Sequence, residues 1–302
     1  MPRCRLCGGR SNLFLSEHRL PLCKNCYPKW FLRITERTIE KWKMFNKNEK
    51  VLVAVSGGKD SVALWYSLSK LGYNTSAVHI VISETEYSLK SENFVKEISN
   101  IIKSPYHIIR IKNELGKDID EISKELKREH CSLCSIIKRR LLNKFAFENN
   151  YDVVVTGHNL DDETASLLGN VLRWDLKYLL NQMPVLEKKD NFVKKAKPFI
   201  RFTDKEIKLF SQIEKLPFID ERCPFSKGAH SILYKEVFER IEKEMPPSKW
   251  TFYSNFVKKI HKILLDSKQK EENLNKCRIC NYPSSKEICS FCRIKEKLTI
   301  KN

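Results

Sequence analysis

Nowhere in this sequence of 302 residues does an apolar run approach the roughly 18 residues that a membrane-crossing helix needs. The opening stretch, MPRCRLCGGR, lacks the apolar centre of a secretory signal. Acidic residues are also short, with 37 Asp and Glu against 56 Lys and Arg, for a formal charge of +19. Disorder is excluded by composition, because 41% of the residues are hydrophobic. The expectation is a soluble, cytoplasmic protein of one large or two ordinary domains, with no membrane partner. Its charge favours nucleic acid or another polyanion, although a solvated basic surface carries such a charge too.

The 11 cysteines do not scatter. Cys4, Cys7, Cys23 and Cys26 form two CxxC pairs with a 15-residue spacer, and Cys277, Cys280, Cys289 and Cys292 form two more with an 8-residue spacer. A secreted disulfide framework is small and even-numbered, whereas paired CxxC turns present four thiolates to one zinc. Two Zn²⁺ ions are therefore expected. With four protein ligands each ion keeps no open position, so both read as staples for segments too small for their own cores. Basic residues among the cysteines (Arg3, Arg5, Arg10, Lys24, Arg278, Arg293) also suit these modules to phosphate contact.

Between the modules the chain alternates. Short β-branched runs at 51–55, 76–82, 106–111 and 152–156 read as buried strands, and helical patterns fall at 60–71, 91–103, 117–128 and 135–149. Alternation of this kind predicts an α/β fold with a doubly wound, mainly parallel sheet. The spacing predicts a basic connecting helix at 29–46 and helices at 204–214, 231–244 and 250–268, with a charged linker from Lys268 to Asn273. The organisation expected is a zinc module at 1–28, the connecting helix, a catalytic domain at 47–225, a helical extension with linker at 226–273 and a zinc module at 274–302.

Directly after the first strand comes Ser56-Gly57-Gly58-Lys59-Asp60-Ser61. Strand, glycine turn and helix start together form a nest of backbone amides that suits phosphate. Lys59 adds charge, the hydroxyls of Ser56 and Ser61 add donors, and Asp60 implies a companion Mg²⁺. The segment matches neither the GxxxxGK[ST] nor the GxGxxG pattern. A second strand-to-helix junction, Thr156-Gly157-His158-Asn159-Leu160-Asp161-Asp162, places paired carboxylates for metal binding or proton transfer, although an Asp at a helix start is commonly just a cap. Three cysteines remain. Cys131 and Cys134 open a basic helix in which Lys138, four residues on, shares the face of Cys134, and Cys223 lies far along the chain. Three such thiols could bind zinc, run a persulfide relay, hold three irons of a [4Fe-4S] cluster, or simply be buried.

SGGKDS resembles the signature of the PP-loop ATP pyrophosphatases. The order zinc pair, SGGKDS, CxxC, GHNLDD, lone Cys, zinc pair resembles the TtuA-type tRNA 2-thiouridine synthetases over nearly the whole chain. The resemblance implies a Rossmann-like PP-loop domain with ATP contacts at Ala54, Val55, Ser56, Gly57, Gly58, Lys59, Asp60, Ser61, His79, Ile80, Lys138 and Gly157. It implies catalytic roles for Asp60, Lys138 and Asp161 or Asp162, and a [4Fe-4S] cluster on Cys131, Cys134 and Cys223. Partners implied are tRNA, a sulfur donor (a ubiquitin-like thiocarboxylate protein or free sulfide) and a second copy of the chain. One departure is Ser83-Glu84-Thr85-Glu86-Tyr87-Ser88, where such enzymes carry a glycine-containing GIGEYS-like segment. The activity implied is ATP-dependent adenylation of O2 of a tRNA uridine, at position 54 rather than 34, followed by displacement of AMP by sulfur from an open iron. Alternatives are a PP-loop enzyme that uses a persulfide relay or an amine nucleophile, and a non-catalytic zinc RNA-binding protein.

Overall fold

The computed structural model describes residues 2–221, 223–226, 230–266 and 275–299. The expected linker at 268–273 lies outside them. The chain opens with a hairpin, β1 (Leu13–Leu15) and β2 (Leu20–Leu22), and runs into α1 (Tyr27–Lys41). Then follow β3 (Val51–Ala54), α2 (Lys59–Lys70), β4 (Thr75–Val81), α3 (Glu86–Ile102), β5 (Tyr106–Arg110), α4 (Ile111–Leu115), α5 (Ile119–Leu126), α6 (His130–Glu148), β6 (Val153–Thr156), α7 (Leu160–Leu172) and α8 (Leu176–Leu180). The short strands β7 (Val185–Leu186) and β8 (Lys194–Ala196) precede α9 (Asp204–Ile213), α10 (His230–Glu244), α11 (Ser248–Asn255) and, across a π-turn at Phe256–Ile260, α12 (His261–Asp266). A last small hairpin, β9 (Asn275–Lys276) and β10 (Pro283–Ser284), leads into α13 (Ser290–Thr299).

The central sheet has the order β5-β4-β3-β6-β8-β7. All neighbours are parallel except the edge pair β7–β8. Strand order reverses between β3 and β6, and in an open parallel sheet the crevice beyond that point is where ligands bind. Both glycine-bearing junctions leave the sheet there. The expected doubly wound α/β fold is the one found, and no helix among the described residues is long and apolar enough to cross a membrane.

Four differences from the sequence reading have local causes. The helix expected at 117–128 is the shorter α5, and an unexpected short helix, α4, precedes it across a turn at Gly116. The helix expected at 91–103 starts earlier, because Thr85 caps it by accepting from the Ser88 N–H at 3.4 Å. The helix expected at 250–268 is interrupted by the π-turn. Most consequential is α1, which reads as a basic connector but buries Tyr27, Trp30, Phe31 and Ile39. Phe31 stacks between Phe202 (centroids 3.9 Å apart) and Phe210 (4.1 Å). These belong to one continuous core that also holds Cys4, Leu15 and Leu22 of the first cysteine module and Tyr253, Phe256 and Val257 of the C-terminal helices. The last module sits elsewhere, with Ile294 and Leu298 of α13 joining a separate cluster with Ile119, Ile122, Leu133 and Ile137.

Candidate active site

The turn from β3 into α2 is shaped for close approach. Gly57 has φ +80°, a conformation that L side chains rarely adopt, and a Cβ there would lie 2.5 Å from Ser91 Oγ. Ser91 of α3 gives its hydroxyl to the Ser56 carbonyl. Ser61 closes the turn by accepting from the Ser56 N–H at 3.0 Å and donating to the Gly58 carbonyl at 2.9 Å. No side chain caps α2 at Gly58, so the amides of its first turn face the crevice, a helix end suited to phosphate. From the neighbouring strand Gly157 presses on the same turn. A Cβ there would stand 2.8 Å from the carbonyl carbon of Asp60 and 2.9 Å from Ser61 N.

Register decides which backbone groups can meet a base. The Ala77 N–H bonds to Pro105 O at 2.9 Å, so odd residues of β4 face β5, and Val78 O accepts from Val55 N–H at 2.9 Å, so even ones face β3. Because β3 ends opposite Val78, the N–H and C=O of Ile80 look out over its end into the crevice. Ala54 is committed to β6 opposite Thr156. The Val55 carbonyl is engaged by His79 Nδ1 at 2.8 Å. A carbonyl can only accept, so Nδ1 carries the hydrogen, and burial pushes this ring's pKa down. Of the four backbone positions expected at the adenine, Ile80 is thus the one turned toward open space. The Val55 amide serves the sheet, and Ala54 lies opposite Thr156 of β6.

Carboxylates and lysines surround the phosphate end. Lys59 bridges Asp60 Oδ2 at 2.9 Å and Asp204 Oδ1 at 2.5 Å. Burial works against its charge, but the two carboxylates hold its pKa above the ordinary value. Asp60, which also accepts from Asn159 Nδ2 at 3.2 Å, is pushed up by burial against the pull of Lys59, with Asp162 and Asp204 adding to the rise. Asp161 and Asp162 are adjacent but have different surroundings. Asp161 is 6% exposed, accepts from Asp204 N–H at 2.6 Å and pairs with Lys249, so both oxygens are engaged in fastening α7 to α9 and α11. Asp162 completes a capping box with Asn159 (3.0 and 3.1 Å) and turns Oδ1 to Lys235 at 2.5 Å. Burial would raise its pKa, but Lys235 and His158 bring it below the usual carboxylate range.

Across the crevice, α6 presents the middle cysteines. Cys134 is half-buried, Cys131 exposed with its thiol 3.2 Å from Phe225 O, and Cys223 half-buried. Burial, and the mutual repulsion of the thiolates, push the Cys131 and Cys134 thiols up, while Lys138 pulls both down. Lys138 follows Cys134 by one turn of α6, and its charge also bears on His79.

Only the two outer sets, among the described residues, bring three or more ligand atoms within 4.8 Å of one another. A tetrahedral zinc with bonds of about 2.3 Å places its sulfurs ~3.8 Å apart. Cys7 and Cys23 are 3.7 Å apart and Cys280 and Cys289 3.8 Å, so both sets fit Zn²⁺ as they stand. Burial raises the Cys277 thiol, but amide bonds and its Cys280 neighbour bring it down to about 6, whereas burial and neighbouring thiols push Cys292 up. Cys131, Cys134 and Cys223 are more widely spread, which suits a cluster, whose ligands sit on separate metal atoms, better than a single ion.

A PP-loop domain model matches residues 32–228. The chain is 39% identical to the tRNA-5-methyluridine(54) 2-sulfurtransferase of Thermotoga maritima, over 98% of this chain and 97% of that one. It belongs to the PP-loop family of tRNA 2-sulfurtransferases. Identity is also 39% to the enzyme of the same name from Pyrococcus horikoshii (96% and 93% covered). Among solved structures it is similar to the U34-tRNA thiolase NcsA from Methanococcus maripaludis with its [4Fe-4S] cluster, at TM-score 0.85 and 26% identity, covering 99% of this chain and 97% of that one.

Several residues now at the site carried no sequence signal. Asp204, Lys235 and Lys249 come from helices distant in the chain, and isolated lysines in so basic a sequence do not stand out. Asn159 lay inside the GHNLDD motif, and only the structure shows its side chain on Asp60. In the segment Ser83–Ser88 the hydroxyls of Ser83, Thr85 and Ser88 lie 3.3 to 3.5 Å from one another, so hydroxyls organise the helix start where the family pattern has glycine.

Proposed function

We propose that the protein is an ATP-dependent tRNA uridine 2-sulfurtransferase that adenylates uridine O2 and replaces the oxygen with sulfur. ATP would lie with its base against Ile80 and its phosphates on the α2 amides, Ser56, Gly57, Gly58 and Lys59. Asp60 and Asp162 suit Mg²⁺, being oxygen donors on one rim of the phosphate site. Asp161 is the scaffold of the pair, holding α9 and hence Asp204 and Lys59 in place. The observation that carries the reading is the place of Lys138 on α6, one helical turn after Cys134 and on the same face, with its charge also felt at His79 on the nucleotide side. There it can stabilise the negative charge on the α-phosphate while sulfur arrives from the cysteine side. A [4Fe-4S] cluster held by Cys131, Cys134 and Cys223 would leave one iron without a protein ligand, able to hold sulfide. The 56 basic residues and the zinc modules supply salt-dependent contact with the tRNA.

Uridine 54 is favoured over 34 because the relatives at 39% identity are named for it, whereas the U34 thiolase stands at 26%. Anaerobic reconstitution tests the chemistry. Sulfur should enter tRNA only with ATP present, and the cluster absorption should disappear in Cys131→Ala. A fully active protein without iron would overturn the open-iron reading and leave a persulfide relay. Nucleoside mapping of the thiolated tRNA decides the position, with sulfur at 34 overturning 54.

A further inference from the structure

Helix α10 has no part in the reading above, yet it lines a cleft beside the PP-loop, a space of about 680 Å³. Gly58, Lys59, Asp60 and Asp204 line it together with Lys235 of α10, and further carboxylates and lysines complete the lining, so an anion would need the lysines or a cation to offset the acidic groups. The Lys235 side chain is 37% exposed and its Nζ lies 2.5 Å from Asp162 Oδ1. The pair is partly buried, and its lysine also lines the cleft that Lys59 and Asp60 line. Burial works against its charge, but Asp162, with Asp204 and Asp161 behind it, keeps the pKa above the ordinary lysine value.

We propose that Lys235 is a further catalytic residue, which faces Lys59 across this cleft and binds the leaving pyrophosphate. The inference rests on the adenylation reading. In that step uridine O2 bonds to the α-phosphorus, the bond from that phosphorus to its bridging oxygen breaks, and the electron pair stays on the bridging oxygen of pyrophosphate. Charge thus grows on the pyrophosphate, and Lys138 is not among the residues that line this cleft. Phosphate and carboxylate are both oxyanions, and the flexible four-carbon stem of lysine lets Nζ turn from Asp162 to the departing group. Lys138 would then serve the α-phosphate, and Lys59 with Lys235 the pyrophosphate.

The test uses the full reconstituted chain with tRNA and ATP, and reads pyrophosphate release together with inhibition by added magnesium pyrophosphate. Lys235→Met should slow release by about 10²-fold, the usual effect of removing one stabiliser of developing charge. It should also weaken pyrophosphate inhibition about tenfold and leave tRNA affinity unchanged. Lys235→Arg should recover most of both. If Lys235→Met unfolds early, Lys235→Gln, which keeps a hydrogen bond to Asp162 without the charge, should show the same two losses. Release and pyrophosphate inhibition within about threefold of the wild type in a folded neutral variant would overturn the assignment. Wild-type protein that releases no pyrophosphate would instead overturn the adenylation reading.

Discussion

Gly157→Ala isolates the contact on which the phosphate site rests. The added methyl would meet three backbone atoms, Asp60 C, Asp60 O and Ser61 N, at 2.8, 2.9 and 2.9 Å. None can rotate away as a side chain would. Restoring ordinary contact at 3.4 Å requires β6 and the start of α2 to separate by about 0.6 Å. Overpacking of this kind costs roughly 1–3 kcal/mol, against which the stiffer unfolded chain returns about 0.4–1 kcal/mol. The net expectation is a loss of about 1–2 kcal/mol, read as a lower urea midpoint at unchanged slope. Activity should suffer more, because the moving atoms carry Asp60 and the first amides of α2. A misplacement of ~1 Å costs about 10²-fold, so ~0.6 Å corresponds to about tenfold in tRNA-dependent AMP release. A variant that loses stability but keeps full turnover would refute the link between this contact and the phosphate site. One unchanged in both would refute the packing argument.

Lys249→Met strips the partner from buried Asp161 and should destabilise by about 3–5 kcal/mol in urea unfolding, with Asp161→Asn/Lys249→Met milder than the single change. Lys195 titrates at about 8, lowered by burial and by Arg139. The unfolded lysine titrates near ~10.4, so between these values the unfolded state holds more protons and stability rises with pH. Thermal melts from pH 8 to 10 should show this rise in the wild type and lack it in Lys195→Met. Cys289→Ser should lower bound zinc from two ions to one per chain by elemental analysis and leave the first cysteine module intact, because the last module packs on α5 and α6 and shares no core with the first.

How much was legible depended on whether the signal was local. The strands β3, β4 and β6 were readable because a strand buried on both faces must be apolar and β-branched, and the edge strand β5 by its Ile108-Ile109 pair. SGGKDS and GHNLDD were readable because tight turns at phosphate sites leave few residue choices. Strands β7 and β8 are two and three residues long and show no periodicity to detect. In α1 the lysines and arginines on one face concealed the aromatic face that joins the core. Asp161 and Asp162 could not be told apart as neighbours in sequence. What separates them is which of two distant helices supplies the facing lysine.

The burial of α1 has a bearing on how the chain is made. Tyr27 gives its hydroxyl to Glu206 O, 179 residues away, and Phe31 packs on Phe202 and Phe210. At about 5–20 residues per second, the aromatic face of α1 leaves the ribosome some 10–35 s before its partners exist. The first cysteine module, whose Cys4 and Leu15 share that core, can gather its four thiols at once but must wait to dock. The last module packs on α5 and α6, which are already made when it emerges. The two ends of the chain thus join the structure under opposite conditions, the first early and exposed, the second late and onto a finished surface.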